Sequence, residues 1–150
     1  MPIRFFKSQS QLVDVSPQAP LPVAVQSAPA SSETLLVSVI SVGTAAKDLL
    51  DSTNAESPTL DRCSHFRQIL WMGRKSGGAD LNYLILGRAT DLSGNPLGDG
   101  WYEIATGTLT GSANSWFRVV LSEAQTGWDQ YRIVVTSGST QTVFSKILGR

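Results

Sequence analysis

The chain has little of what most often carries chemistry: its 150 residues include one cysteine and one histidine. Cys63 has no second thiol to bridge to, so no disulfide within the chain can staple the fold. At this length none is needed, because a domain of this size hides about 70% of the surface its unfolded chain would expose. An excess of charge of either sign is also lacking, with Lys plus Arg at 12 and Asp plus Glu at 12. The basic residues are scattered from Arg4 to Arg150 and form no cationic cluster of the kind that binds nucleic acid non-specifically, so no nucleic-acid partner is expected. Long hydrophobic runs are missing as well. The longest, Leu35 to Val42, is interrupted by Ser38 and Ser41, and the opening Met1-Pro-Ile-Arg-Phe-Phe-Lys-Ser-Gln-Ser holds no signal-peptide core. The expectation is a soluble protein made in a cytoplasm, with no membrane partner.

What is present divides at about residue 33. Residues 8–33 are rich in Ser, Gln, Ala and Pro, and Pro17, Pro20, Pro22 and Pro29 each lack a backbone donor and push the preceding residue toward extended geometry. Residues 1–33 are expected to form an extended arm that lacks strand periodicity and, stretched out, could span on the order of 100 Å. Its apolar residues Ile3, Phe5, Phe6, Leu12, Val13, Val15, Leu21, Val23 and Val25 are out of place in a purely disordered tail, and are expected to contact a partner protein.

Residues 34–150 read as one all-β domain, an antiparallel β-sandwich of jelly-roll-like type. Short β-prone runs alternate with Gly, Ser, Asn and Pro clusters: Leu35–Val42, Phe66–Gly73, Leu81–Arg88, Trp101–Thr110, Trp116–Leu121, Gln130–Thr136 and Gln141–Leu148. Three runs alternate with period two, giving core faces Phe117, Val119 and Leu121; Tyr131, Ile133 and Val135; and Tyr102 with Ile104. The linking turns predict that consecutive strands pair as hairpins. One short helix is expected over Thr44 to Ser52, with Thr44 as its N-cap.

No constellation for catalysis or metal binding stands out, and no cofactor is expected. Cys63 and His65 lie two apart, which on a strand puts them on one face, but no oxyanion hole or third group accompanies them, and two ligands make no zinc site. Asp91-Leu-Ser-Gly-Asn-Pro-Leu-Gly-Asp99 spaces its oxygens like a calcium loop, yet Pro96 stands where the glycine belongs and Tyr102 where the last acid belongs, so a turn is the simpler reading. Gly73-Arg-Lys-Ser-Gly-Gly78 lacks the ending of a phosphate loop and reads as a hairpin tip. Trp71, Trp101, Trp116 and Trp128 could stack on sugars if exposed in a row. Trp101, Glu103, Trp116, Arg118 and Arg132 are expected on one outward face, where the mixture of Trp and Arg suits a subunit interface, with Glu103 pairing Arg118 or Arg132.

In order, Val42-Gly-Thr-Ala-Ala with Leu49-Leu50, Leu60-Asp-Arg62, a strand ending Leu84-Ile-Leu-Gly87, Gly94-Asn-Pro-Leu-Gly-Asp-Gly100 and a strand opening Trp116-Phe-Arg form a series over about residues 35–136. This series resembles small β-sandwich structural proteins of tailed bacteriophages, in which an N-terminal arm precedes a jelly-roll-like domain displayed on the virion. It departs from them in a longer, glycine-containing hairpin around 73–80 and an extra C-terminal strand at 141–148. The resemblance implies a non-enzymatic virion protein: a head decoration or cement protein that bridges subunits of the major capsid protein, or a neck or tail accessory protein. It also implies self-association, as a trimer first and a dimer second. The alternative is a carbohydrate-binding or fibre module of the neck or tail that recognises a host surface.

Overall fold

The computed structural model describes residues 32–49, 60 and 62–150 in full, and residues 3–8 and 11–15 as paired backbone. The strands are β1 Ile3–Ser8, β2 Gln11–Val15, β3 Glu33–Val42, β4 Lys47–Asp48, β5 Ile69–Lys75, β6 Leu81–Arg88, β7 Tyr102–Leu109, β8 Trp116–Leu121, β9 Gln130–Ser137 and β10 Gln141–Gly149. Each of the seven expected runs carries one of β3 and β5 to β10.

Eight strands form two antiparallel four-stranded sheets, ordered β3-β10-β5-β8 and β4-β9-β6-β7. This is the jelly-roll order. It is one long antiparallel ribbon rolled up: β3 pairs with β10, β4 with β9, β5 with β8 and β6 with β7. Rolling then brings β10 against β5 and β9 against β6. Connections 43–46, 76–80, 110–115 and 138–140 fall at one end of the sandwich. Connections 89–101 and 122–129, with residues 62–68, fall at the other.

Between the sheets, period-two alternation puts Leu36, Ile40, Val42, Ile69, Trp71, Leu81, Ile85, Ile133, Val135, Val143 and Ile147 into a shared core. Trp71 is its largest member. Its indole packs edge-on against Phe117 in its own sheet at 4.9 Å and Tyr83 in the other at 5.6 Å, and its Nε1 donates to Ser145 Oγ at 3.0 Å. That donation satisfies the one polar atom that burying a tryptophan would otherwise strand.

Three expectations need correction. Only β1–β2 and β6–β7 pair with their sequence neighbours; every other connection crosses from one sheet to the other, so Lys75-Ser-Gly-Gly-Ala-Asp80 is a sheet-to-sheet corner and not a hairpin tip. A turn residue reports that the chain reverses, not which sheet the next strand joins. The helix expected over Thr44 to Ser52 does not start at Thr44: Lys47 and Asp48 pair with Val135 and Val134, a second sheet's demand for an edge strand outweighing weak helix propensity, and of the described residues in that span Leu49 alone is helical, in a 3-10 turn. The arm, expected to lack strand structure, contains an antiparallel ribbon with Ile3 opposite Val15 and Phe5 opposite Val13, in keeping with its aromatic and β-branched residues. The side chains of Ile3, Phe5, Phe6, Leu12, Val13 and Val15, and all of Leu21, Val23 and Val25, lie outside the described residues.

Candidate functional site

Two surfaces stand out, one on each sheet. The first is the outer face of β3-β10-β5-β8. Alternation that buries one side of each strand leaves the other outward, and the register aligns those outward residues in rows. One row runs Val39, Phe144, Arg74, Trp116; the next Val37, Lys146, Met72, Arg118; a third holds Leu148, Leu70 and Val120. Trp116 is 80% exposed and Val37 50%. The Arg74 guanidinium lies 5.0 Å above the Phe144 ring. The three rows carry three cations, Arg74, Arg118 and Lys146, and no carboxylate, while Glu33 stands exposed at the start of β3, outside them. A sheet face this apolar and this uniformly charged is uncommon on a solitary soluble domain.

The second surface is at the end of the other sheet, around connection 89–101. Gly87 in β6 accepts the Trp128 indole directly on the backbone: a Cβ there would meet Trp128 at 2.7 Å and Ile104 at 2.6 Å. Held in this way, Trp128 stacks on Tyr102, with ring centroids 5.2 Å apart and planes 18° from parallel. Next to them the Arg88 guanidinium covers the Trp101 ring at 4.4 Å, and its Nε donates to Gln130 Oε1. Gly87, Arg88, Ala89, Leu97, Gly98, Gly100, Tyr102 and Trp128 enclose an open cavity of about 180 Å³.

The connection over this cavity is tied by two carboxylates. Asp91 accepts the backbone N–H groups of Ser93 and Asn95 at 2.8 and 2.9 Å, with Gly94 in the left-handed region at φ +86°. Asp129 accepts the Thr90 N–H at 2.8 Å. These donors, led by Asn95 and Thr90 respectively, hold both carboxyls below the usual carboxylate range. The Asp91 oxygens, first of those that resembled a calcium loop, are thus occupied in an Asx turn.

The five residues expected on one interface face do not share one. Trp116 and Arg118 lie on the outer face of the first sheet, whereas Glu103 and Arg132 belong to the second and Trp101 immediately precedes β7. The reason is the corner at 110–115, which carries the chain across the sandwich between β7 and β8. Arg132 donates to Asp48, and although it and Glu103 flank Leu86 in one row of the ladder, Glu103 forms no ion pair with Arg118 or Arg132 among the described residues. Tyr102, expected in the core, is 64% exposed: it begins β7 opposite Gly87 at the open end of the sheet, where its ring covers Trp128 and nothing among the described residues covers its other face. The four tryptophans form no row: Trp71 is core, Trp116 is the one tryptophan on the outer face of its sheet, and Trp101 and Trp128 gather at the cleft.

Cys63 and His65 do not share a strand face. They lie in an irregular turn, with Cys63 buried and His65 exposed. His65 lines a second cavity of about 230 Å³ with Ser64, Phe66, Arg67, Glu123, Thr126 and Gly127. Its one ion pair, Arg67 to Glu123 at 3.9 Å, is so exposed that it contributes little. Among the described residues no group of three or more His, Cys, Asp or Glu side chains is placed to hold a metal ion.

Sequence reasoning missed Arg88, Gln130 and the Tyr102–Trp128 pair, which meet only through pairing across β9, β6 and β7. It also missed Phe144, Lys146, Val37 and Val39, although their alternation in Leu35–Val42 and Gln141–Leu148 was a usable signal. No protein-family model matches the chain, and no curated protein matches its sequence.

Proposed function

We propose that the chain is a non-enzymatic component of a bacteriophage virion, a capsid decoration or cement protein that docks through the outer face of β3-β10-β5-β8. One observation carries the docking: Trp116, Phe144, Val37 and Val39 stand exposed in rows whose charges are all positive. Interfaces concentrate Trp, Arg and Met at their centres, and such a face fits a partner surface that is apolar with an acidic rim. The jelly roll, a fold used in viral capsids, and the resemblance in sequence order support the virion as the place. A closed trimer on the capsid is the first choice of assembly and a dimer the second. The rival reading, a carbohydrate-binding module, is favoured by the Trp101, Tyr102 and Trp128 cluster at the other sheet's end.

The test is sedimentation equilibrium of the full chain and its Trp116→Ala and Phe144→Asp variants, with co-sedimentation on virions whose protein inventory includes this chain. Trp116→Ala should cost about 2 kcal/mol of association, the loss expected of an interface anchor. A wild type absent from every virion inventory, or one whose association and particle binding ignore both substitutions, would overturn the proposal.

A further inference from the structure

We infer that the cleft at the end of the β4-β9-β6-β7 sheet is a binding site for one pyranose ring of a saccharide. The inference rests on the carbohydrate reading and is independent of the docking face, which lies on the opposite sheet. A pyranose presents an apolar C–H face and an edge of oxygen acceptors, and the cleft offers a counterpart to each.

For the apolar face there are the Tyr102 ring, backed by Trp128, and Leu97, the last 69% exposed with nothing among the described residues covering it. An aromatic pair locked in a stack loses little rotamer entropy when a ligand arrives, which is why rigid aromatics make good recognition surfaces. For the oxygen edge there is Arg88. Stacking on Trp101 and donation from Nε to Gln130 fix its plane, and its Nη groups have no acceptor among the described residues. A guanidinium held in this way presents a preorganised fork of donors, suited to a pair of hydroxyl oxygens or to a uronic carboxylate.

Two glycines give independent support. Neither Gly98 nor Gly100 has a positive φ, and a Cβ on either would meet nothing within 4 Å. Neither backbone strain nor close packing calls for a glycine at these positions, unlike Gly87 or Gly94. What they do is line the cleft without a side chain, leaving its mouth open and its backbone amides bare. At about 180 Å³ the cavity is below the roughly 300 Å³ at which sites for drug-sized ligands begin, so a single ring fits and a nucleotide cofactor does not.

The experiment is NMR titration of the full chain, reading the indole resonances of Trp101 and Trp128, with glucose, galactose, N-acetylglucosamine and glucuronate as probes. It is paired with binding to immobilised neutral and uronic glycans. Saturable shifts of those indoles are expected with at least one probe, and tighter binding of glucuronate than of glucose would assign the Arg88 edge to a carboxylate, the reverse to hydroxyls. Gly98→Leu fills the mouth from a position with no neighbours, and Tyr102→Ala removes the stacking face; each should weaken binding by about tenfold or more while melting and self-association stay at wild-type values. Indoles unmoved by every probe together with a silent glycan panel, or binding that both variants retain, would overturn the inference. A wild type that binds glycan but does not dock on particles would instead count against the docking face alone.

Discussion

At the scale of single residues, the polar groups inside the sandwich decide more than their number suggests. Lys75 is buried, and its ammonium donates at 2.8 Å to the carbonyl oxygens of Ala79 and Gly111, clipping together the two corners at 76–80 and 110–115. Lys75→Met keeps the stem and removes the donors, stranding two acceptors; urea unfolding should show a loss of about 3 kcal/mol. Ser38 is the opposite case. It faces Ser145 across the ladder, but Ser145 Oγ already accepts from Trp71, and the Ser38 hydroxyl is buried with no partner among the described residues. Ser38→Ala should raise stability by about 1 kcal/mol, and a variant less stable than wild type would show that the hydroxyl is bonded after all. Neither role was legible in the sequence. Lys75 opens a run that reads as a solvated turn, and one of its acceptors lies 36 residues away. Trp116 was legible, because alternation with Phe117 fixes which of the two points outward.

At the scale of elements, connection 89–101 is the part whose state should follow pH. Asp91 and Asp129 have carboxyls held below the ordinary value of 3.8 by the backbone donors they accept. A depressed folded-state pKa means a contribution that is complete above the unfolded value and disappears as pH falls through the folded one. The ties at Ser93, Asn95 and Thr90 should therefore persist through neutral and mildly acidic solution and release only below about pH 4. Resonances of Thr90 and Asn95 should then shift while those of β9 and β10 do not; a connection that loosens near neutrality would contradict the assignment. Tyr131 sets the alkaline limit, burial having pushed its phenol up to about 12. The raised value makes its contribution complete below pH 10 and lost between there and about 12, so tyrosinate absorbance should rise together with unfolding and not ahead of it. The strands of the sandwich were readable because a two-residue period survives any tertiary arrangement that buries one face. The cleft was not, because its parts come from β6, β7 and the segment before β9, and no local pattern records that they meet.

At the scale of the whole molecule, the pairing of first strand with last, second with second-last and so on turns the domain into a single ribbon folded over on itself. That arrangement fixes which loops share an end, and so places the cleft at the ribbon's tip and the docking face on the sheet holding both ribbon ends. The class was legible from turn spacing, but the choice between a meander and a rolled ribbon depends on which sheet each strand joins. That choice is decided by the fit of the two core faces, which no single strand encodes. The same pairing has a temporal side. β10, the last of the eight strands to be synthesised, lies between β3 and β5 in the middle of its sheet, and its ladder brings Gly149 opposite Glu33. Contacts so distant in sequence put refolding among the slow, non-local β topologies. Until Gln141 and its successors emerge from the ribosome, β3 and β5 both have a bare hydrogen-bonding edge, the state in which chains recruit one another into aggregates. The interval of greatest risk for this protein comes before it is finished, and expression at low temperature or with a holdase chaperone should improve yield more than any change to the completed surface.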